Sequence, residues 1–410
     1  MKLLYIFEKN IILRKILITF SLIIIFLLGR YVPIPGVLIS AYKGQDNNFA
    51  TLYSTVTGGN LSQVGVFSLG IGPMMTTMTL LRLFTIGKYS SGVSQKVQQF
   101  RQNVVMLVIA IIQGLAIAIS FQYHNGFSLT KLLLATMILV TGAYIISWIG
   151  NLNAEYGFGG MTILVVVGML VGQFNNIPLI FELFQDGYQL AIILFLLWTL
   201  VAMYLMITFE RSEYRIPVMR TSIHNRLVDD AYMPIKVNAS GGGMAFMYVY
   251  TLLMFPQYII ILLRSIFPTN PDITSYNDYF SLSSIQGVVI YMILMLVLSV
   301  AFTFVNIDPT KISEAMRESG DFIPNYRPGK ETQSYLSKIC YLFGTFSGFF
   351  MAFLGGVPLL FALGNDNLRT VSSMTGIFMM ITGMSFMILD EFQVIRIRKQ
   401  YTSVFENEEN

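Results

Sequence analysis

NFATLYSTVTGGNLSQVGVFSLGIGPMMTTMTLLRLF, residues Asn48 to Phe84, carries no Asp, Glu, Lys or Arg before Arg82. Its first part is nevertheless polar, since 11 of the 22 residues from Thr51 to Gly72 are Gly, Ser or Thr. A lipid-facing helix is not built that way. The stretch lies between one apolar run, Ile16–Val32, and another that starts near Val66. In hydrocarbon every backbone N–H and C=O needs an internal partner, so irregular chain at membrane depth persists only inside protein or along a watery cavity. This predicts a short re-entrant helix from Phe49 to about Ser62, then a helix that crosses the bilayer. The plainer alternative is an external Ser/Thr-rich loop.

Composition sets the class. Mean hydropathy is +0.64, 54% of residues are hydrophobic and 12% are charged, against about 25% charged in soluble domains. Two His and one Cys argue against a metal site. Cys340 opens an apolar run and reads as a small core residue. Lys2, Lys9, Arg14 and Lys15 precede the first apolar run, but no small-residue cleavage site closes it. That run is expected to stay as the first spanning helix.

A spanning helix takes about 20 mostly apolar residues. Ten segments qualify: Ile16–Val32, Val66–Ile86, Asn103–Phe121, Leu132–Gly150, Gly160–Asn175, Tyr188–Thr208, Gly241–Leu263, Gln286–Val305, Ile339–Phe361 and Val371–Asp390. Ten spans put both termini on one side. That side carries 20 Lys and Arg, the other five, with Arg82 inside a span. By the positive-inside bias both termini are cytoplasmic. Two cytoplasmic loops are long, Glu210–Val237 and Asn306–Lys338. The second holds five acids among its five bases, a mixture that suits a protein partner better than lipid headgroups.

The spans contain almost no ionisable side chains. Ion-coupled carriers of small solutes place such groups inside the bundle, so that reading is weakened. A non-conducting scaffold is a further alternative. No nucleotide-binding loop, metal cluster or nucleophile–base pair occurs, so neither an enzyme, a cofactor nor a nucleic-acid partner is expected.

Five segments in order resemble the SecY/Sec61 family of protein-conducting channels. YVPIPGV (Tyr31–Val37) resembles its IPxPG turn, and FSLGIGPMMTTMTLLRLF its second helix. YGFGGMTIL (Tyr156–Leu164) resembles the glycine-rich start of the fifth helix. PIKVNASGGGMAFMYVYTLLMFPQ (Pro234–Gln257) resembles the segment leading into the seventh. FTFVNIDPTKISEAMRESGDFIPNYRPGKETQSYL (Phe302–Leu336) matches the FIPGxRPG loop most closely. Departures are an extra glycine within Gly241–Gly243, Asn325 where the family usually has Gly, and Met and Thr at some apolar pore positions. In these the chain is most similar to the accessory SecY group of Gram-positive bacteria.

The resemblance implies an all-α polytopic membrane protein, with ten transmembrane helices in two pseudo-symmetric five-helix halves and a re-entrant plug helix. The halves would be residues 1–187, with the plug at about 49–62, and 188–390, with cytoplasmic loops 210–237 and 306–338. Residues 391–410 would form a cytoplasmic tail. Helices two and seven would form a lateral gate to membrane lipid. The implied pore ring is Met75, Thr79, Val165 and Met247, with Ile381–Met384 nearby in helix ten. The plug would include Thr55, Gly58, Gly59 and Asn60. Implied partners are an accessory SecA-type motor ATPase, SecE-like or dedicated small membrane subunits, and a preprotein with a signal peptide, including serine-rich glycoprotein adhesins. Arg327, Arg215 and Lys330 would contact the motor. The location implied is the cytoplasmic membrane of a bacterium.

Cross-linking the plug to the pore ring through paired cysteines, one in 55–60 and one at Met75, is expected to block export. Unimpeded export by the cross-linked protein would refute the plug.

Overall fold

The computed structural model describes residues 11–38, 65–85, 94–124, 126–174, 176–220, 231–267, 276 and 279–406. The expected plug, with Thr55, Gly58, Gly59 and Asn60, lies outside the described residues. In chain order the helices are α1 (Ile11–Arg30), α2 (Gly72–Thr85), α3 (Gln95–Ile119), α4 (Leu129–Tyr156), α5 (Gly160–Phe174), α6 (Ile177–Gln185) and α7 (Gln189–Arg211). A two-stranded ribbon follows, β1 (Glu213–Pro217) antiparallel to β2 (Tyr232–Lys236). Then come α8 (Met244–Ile266), α9 (Ile285–Ile307), α10 (Pro309–Ser319), α11 (Lys330–Phe361) and α12 (Asp366–Glu406).

Each of the ten expected spans falls on a helix. Among the described residues nine segments are long and apolar enough to cross a membrane. The tenth span is α2, described for 14 residues. Helix geometry closes each segment's backbone hydrogen bonds internally, the condition hydrocarbon imposes. Several ends are set by local chemistry. Ser284 Oγ accepts from Gly287 N at 3.0 Å and caps α9. Asp308, at φ 43°, ends α9, and its side chain accepts from Lys311 N to start α10 with Pro309 at the first turn. Gly320, at φ 77°, closes α10.

Four boundaries differ from expectation. The second span starts at Gly72 rather than Val66, because Gly65–Ile71 is a buried run of turns bonded Ser68 N to Gly65 O and Gly70 N to Phe67 O, both at 3.0 Å. α4 is 28 residues long, α11 begins at Lys330, and α12 continues through Glu406. The apolar stretches mark only the parts of these helices that lipid or core requires. Both the ribbon and α10 lie in stretches that composition read as loops.

Helices α1 to α5 pack among themselves, as do α7 to α12. The most extensive contact is α9 with α11. It is close because a Cβ placed at Gly348 would sit 2.8 Å from the Leu296 Cα. The two groups meet where α8 touches α2 and α3, and where α12 touches α5.

Arg30, counted from the sequence as an external charge, is 2% exposed. Its guanidinium donates to the Gly168 carbonyl at 3.3 Å and lies 5.8 Å from the Phe26 ring centre. It ties α1 to α5 rather than facing water.

Gly142 on α4 faces the turn run, and a Cβ there would lie 2.1 Å from the Val66 carbonyl oxygen. Gly114 on α3 has nothing nearer than 3.4 Å, a side-chain methyl. Gly142→Ala should therefore lose about 1–3 kcal/mol, while Gly114→Ala should be neutral or gain about 0.5–1 kcal/mol in helix propensity. Thermal unfolding of the purified variants checks this; equal midpoints would refute the close packing.

Candidate functional site

Met75 and Thr79 sit on α2, Val165 on α5 and Met247 on α8, and all four are buried. Met75, Val165 and Met247 belong to one apolar core that also holds Ile381 and Met384 of α12. That core runs through most of the bundle, from Phe26 of α1 to Met384 of α12, so it places these positions in the interior without singling them out as a ring. Thr79, polar where the family pattern is apolar, donates its hydroxyl to the Met75 carbonyl at 2.8 Å. Thr76 and Thr77 do the same to Gly72 and Pro73, at 2.9 and 2.7 Å. A threonine bonded back to its own helix presents little unsatisfied polarity. Among the described residues, the buried Asp, Glu, Lys and Arg side chains are Arg30 and Glu210, and neither belongs to this cluster. Unbranched thioether side chains are deformable, and an apolar constriction, where one exists, excludes water and ions when empty.

The seam between α2 and α8 is held by side chains. Arg82 Nη1 donates to the Tyr248 hydroxyl at 3.3 Å, with its guanidinium 5.9 Å from the same ring centre. Within the first group, Gln113 of α3 donates to Thr76 of α2 at 3.0 Å. On the opposite flank the Gly159 N–H donates to Glu391 of α12 at 3.0 Å, and Phe158 meets Phe392 edge-on at 5.8 Å.

One end of the bundle carries the ribbon and α10. Met219 and Phe322 exchange backbone hydrogen bonds at 2.9 and 3.0 Å, joining the two long loops. Beneath them Ile216, Val218, Ile235, Met316, Ile323 and Leu336 form a separate small core. The two loops are therefore one folded unit. On it Arg327 is exposed. Its backbone is clamped, with the N–H donating to Glu331 at 3.0 Å and the carbonyl accepting from Thr332 at 2.8 Å. Asn325 has φ 70°, a left-handed conformation that Asn tolerates, so its replacement of the family's Gly keeps the turn. Lys330 is exposed at the first turn of α11. Arg215 is engaged differently. It pairs with Glu213 at 2.8 Å and lies 4.7 Å from the Tyr232 ring centre. The Glu213 hydrogen bond, then the charges of Tyr232 and Glu213, raise its pKa above the ordinary arginine value.

Sequence reading missed one buried network here. Asn238 Nδ2 donates to Glu210 Oε2 at 2.7 Å, while its Oδ1 accepts from Ser240 and Ser347 at 2.9 and 2.8 Å. The network ties α7, the lead-in to α8, and α11. The signal was present in PIKVN and in a Glu closing an apolar 20-mer, but nothing in spacing joins residues 210, 238 and 347. The Gly241–Gly243 departure has a physical use too. Gly241 and Gly242 take φ of 101° and 59°, and a Cβ on Gly243 would sit 2.3 Å from the Met380 carbonyl.

A family model described as SecY matches residues 65–388. The accessory Sec system protein translocase subunit SecY2 of Streptococcus agalactiae serotype III (strain NEM316) is 99% identical over 410 residues, 100% of both chains. That of Streptococcus sanguinis (strain SK36) is 34% identical over 410 residues, 97% of this chain and 99% of the relative. The fold matches a solved structure described by the plug domain of the SecY protein, which stabilises the closed state of the translocation channel and maintains a membrane seal. Its TM-score is 0.68 at 15% identity, covering 94% of this chain and 93% of that chain. With the family model spanning most of its length and a full-length relative above 30% identity, the chain belongs to the SecY family.

Proposed function

We propose that this multi-pass membrane protein is the channel-forming subunit of an accessory Sec translocase. It passes unfolded preproteins across the bacterial cytoplasmic membrane and has both termini in the cytoplasm. The observation that carries this reading is membership of the SecY family, and the burial of the uncharged positions Met75, Thr79, Val165 and Met247 on α2, α5 and α8 supports it. A rigid polar filter could not admit every side chain, whereas a deformable apolar gasket can mould around a passing chain and dewet behind it. Met75, Thr79, Val165 and Met247 serve as that gasket. The segment 49–62, with Thr55, Gly58, Gly59 and Asn60, serves as the plug.

The halves 1–187 and 188–390 part at the α2–α8 seam. Arg82 and Tyr248 latch it, and a signal peptide opens it toward lipid. The folded loop unit receives a SecA-type motor ATPase. Arg327, outward on a clamped turn, and Lys330 make the contact, while Arg215 is shaped by Glu213 into part of the ribbon surface. SecE-like or dedicated small membrane subunits brace the outside. The exported proteins are serine-rich glycoprotein adhesins, as the similarity to accessory subunits supports.

Arg327→Glu reverses the charge without touching the backbone bonds that hold the turn. Motor-driven export should fall at least about tenfold, the loss expected for a charge reversal at a docking contact. Export at the parental rate with the motor bound would refute the assignment. Met247→Asp puts a charge in the gasket and should raise the ion leak of the idle, reconstituted channel by about an order of magnitude. An unchanged single-channel leak would remove Met247 from the gasket.

A further inference from the structure

A cavity of about 520 Å³ opens at the loop end of the bundle, within the roughly 300–1,000 Å³ range of ligand sites. At one wall lies Glu210, 6% exposed. The Asn238 amide is oriented by two hydroxyls, Ser240 and Ser347, which both donate to its oxygen. Its NH₂ must therefore face the Glu210 carboxylate. Among the described residues no cation forms an ion pair with Glu210. Lys236 also lines the cavity and its charge acts on Glu210, but its Nζ is bonded to Asp390 at 3.0 Å, so the one ammonium is shared and Glu210 has no cation of its own. The charged side chains of the lining are thus two carboxylates and one ammonium, leaving one negative charge over.

A buried carboxylate without its own cation is costly, and a cation supplied from outside recovers that cost. The remaining walls include Met233, Ile235, Ile307, Ile312 and Met387. A hard divalent ion needs more oxygen ligands than such walls offer. A side chain with an aliphatic stem and a cationic tip meets both the walls and the carboxylate.

We propose that this cavity takes a lysine or arginine side chain from the polypeptide that docks on the loop unit. This rests on the docking reading given above. Met233 and Ile235 belong to β2 and Ile312 to α10, so a polypeptide seated on the loop unit lies against the cavity's own walls. The outward Arg327 and the acidic cavity present opposite charges to that partner. Such a pattern fixes register more than it adds affinity.

The test uses the full chain in lipid nanodiscs with Met387→Cys, the unsubstituted chain with its buried Cys340 serving as background. The introduced thiol is modified with 2-aminoethyl or 2-sulfonatoethyl methanethiosulfonate. The cationic reagent should react about tenfold faster than the anionic one, beyond the ratio for a free thiol, as field focusing in a cleft allows. Glu210→Gln should cut that ratio several-fold. Lys236→Met should raise it, which keeps the claim testable if the first variant folds poorly. Equal rates in the parent would overturn the cation site, whatever the motor does. Saturating motor ATPase should slow modification. If selectivity holds and a motor shown to bind by co-sedimentation gives no protection, the assigned occupant is overturned. A motor that fails to bind at all strikes the docking reading instead, and the occupant with it.

Discussion

In lipid there is no hydrophobic drive for one helix to leave hydrocarbon for another, so small residues and hydrogen bonds decide which helices stay together. The glycines here divide along that line. Within α1 to α5, Gly142 lies close against the backbone at Val66. Within α7 to α12, Gly348 approaches Leu296 and Gly243 approaches Met380, again backbone to backbone. At the seam near α2 the ties are different in kind. Arg82 meets Tyr248 by a long, flexible side chain. Contacts of the first kind must be broken outright to separate, while those of the second can be exchanged for water or another polar group.

The same economy governs the polar side chains of the interior. Threonine hydroxyls return to their own helix, so α2 can carry Thr76, Thr77 and Thr79 at buried positions. Charge is kept to the ends of the bundle, Arg30 against a carbonyl and Glu210 against an amide. Asn238 then connects the loop end to the membrane part. It joins the last turn of α7 to α11 just before the chain enters α8, the helix that contacts both groups. The segment between β2 and α8 is thus held by side-chain hydrogen bonds rather than left as a loose linker.

All ten spans were legible in the sequence because hydrocarbon demands long apolar runs, and no other environment would use so many. Helix ends were less legible. Apolar periodicity stops where lipid stops, so Lys330–Lys338 and the helical continuation past Asp390 read as loop and tail, although both are helical. The ribbon was hidden for another reason. Its five-residue strands, EYRIP and YMPIK, bury one side chain each, and their partner core lies in a loop about 80 to 120 residues away. Met75, Val165 and Met247 were singled out through family motifs alone, since a methionine in a bundle carries no mark of its place. The Glu210–Asn238–Ser347 network had no linear signature, because burial is what gives those polar residues meaning.

The last helix has a geometric consequence. At 1.5 Å per residue, the 41 residues of α12 make a rod about 60 Å long, twice the roughly 30 Å of hydrocarbon. Even at an ordinary tilt it must stand well clear of the membrane surface. About half of its length therefore lies in water, and its polar C-terminal turns are where the chain's last residues are spent.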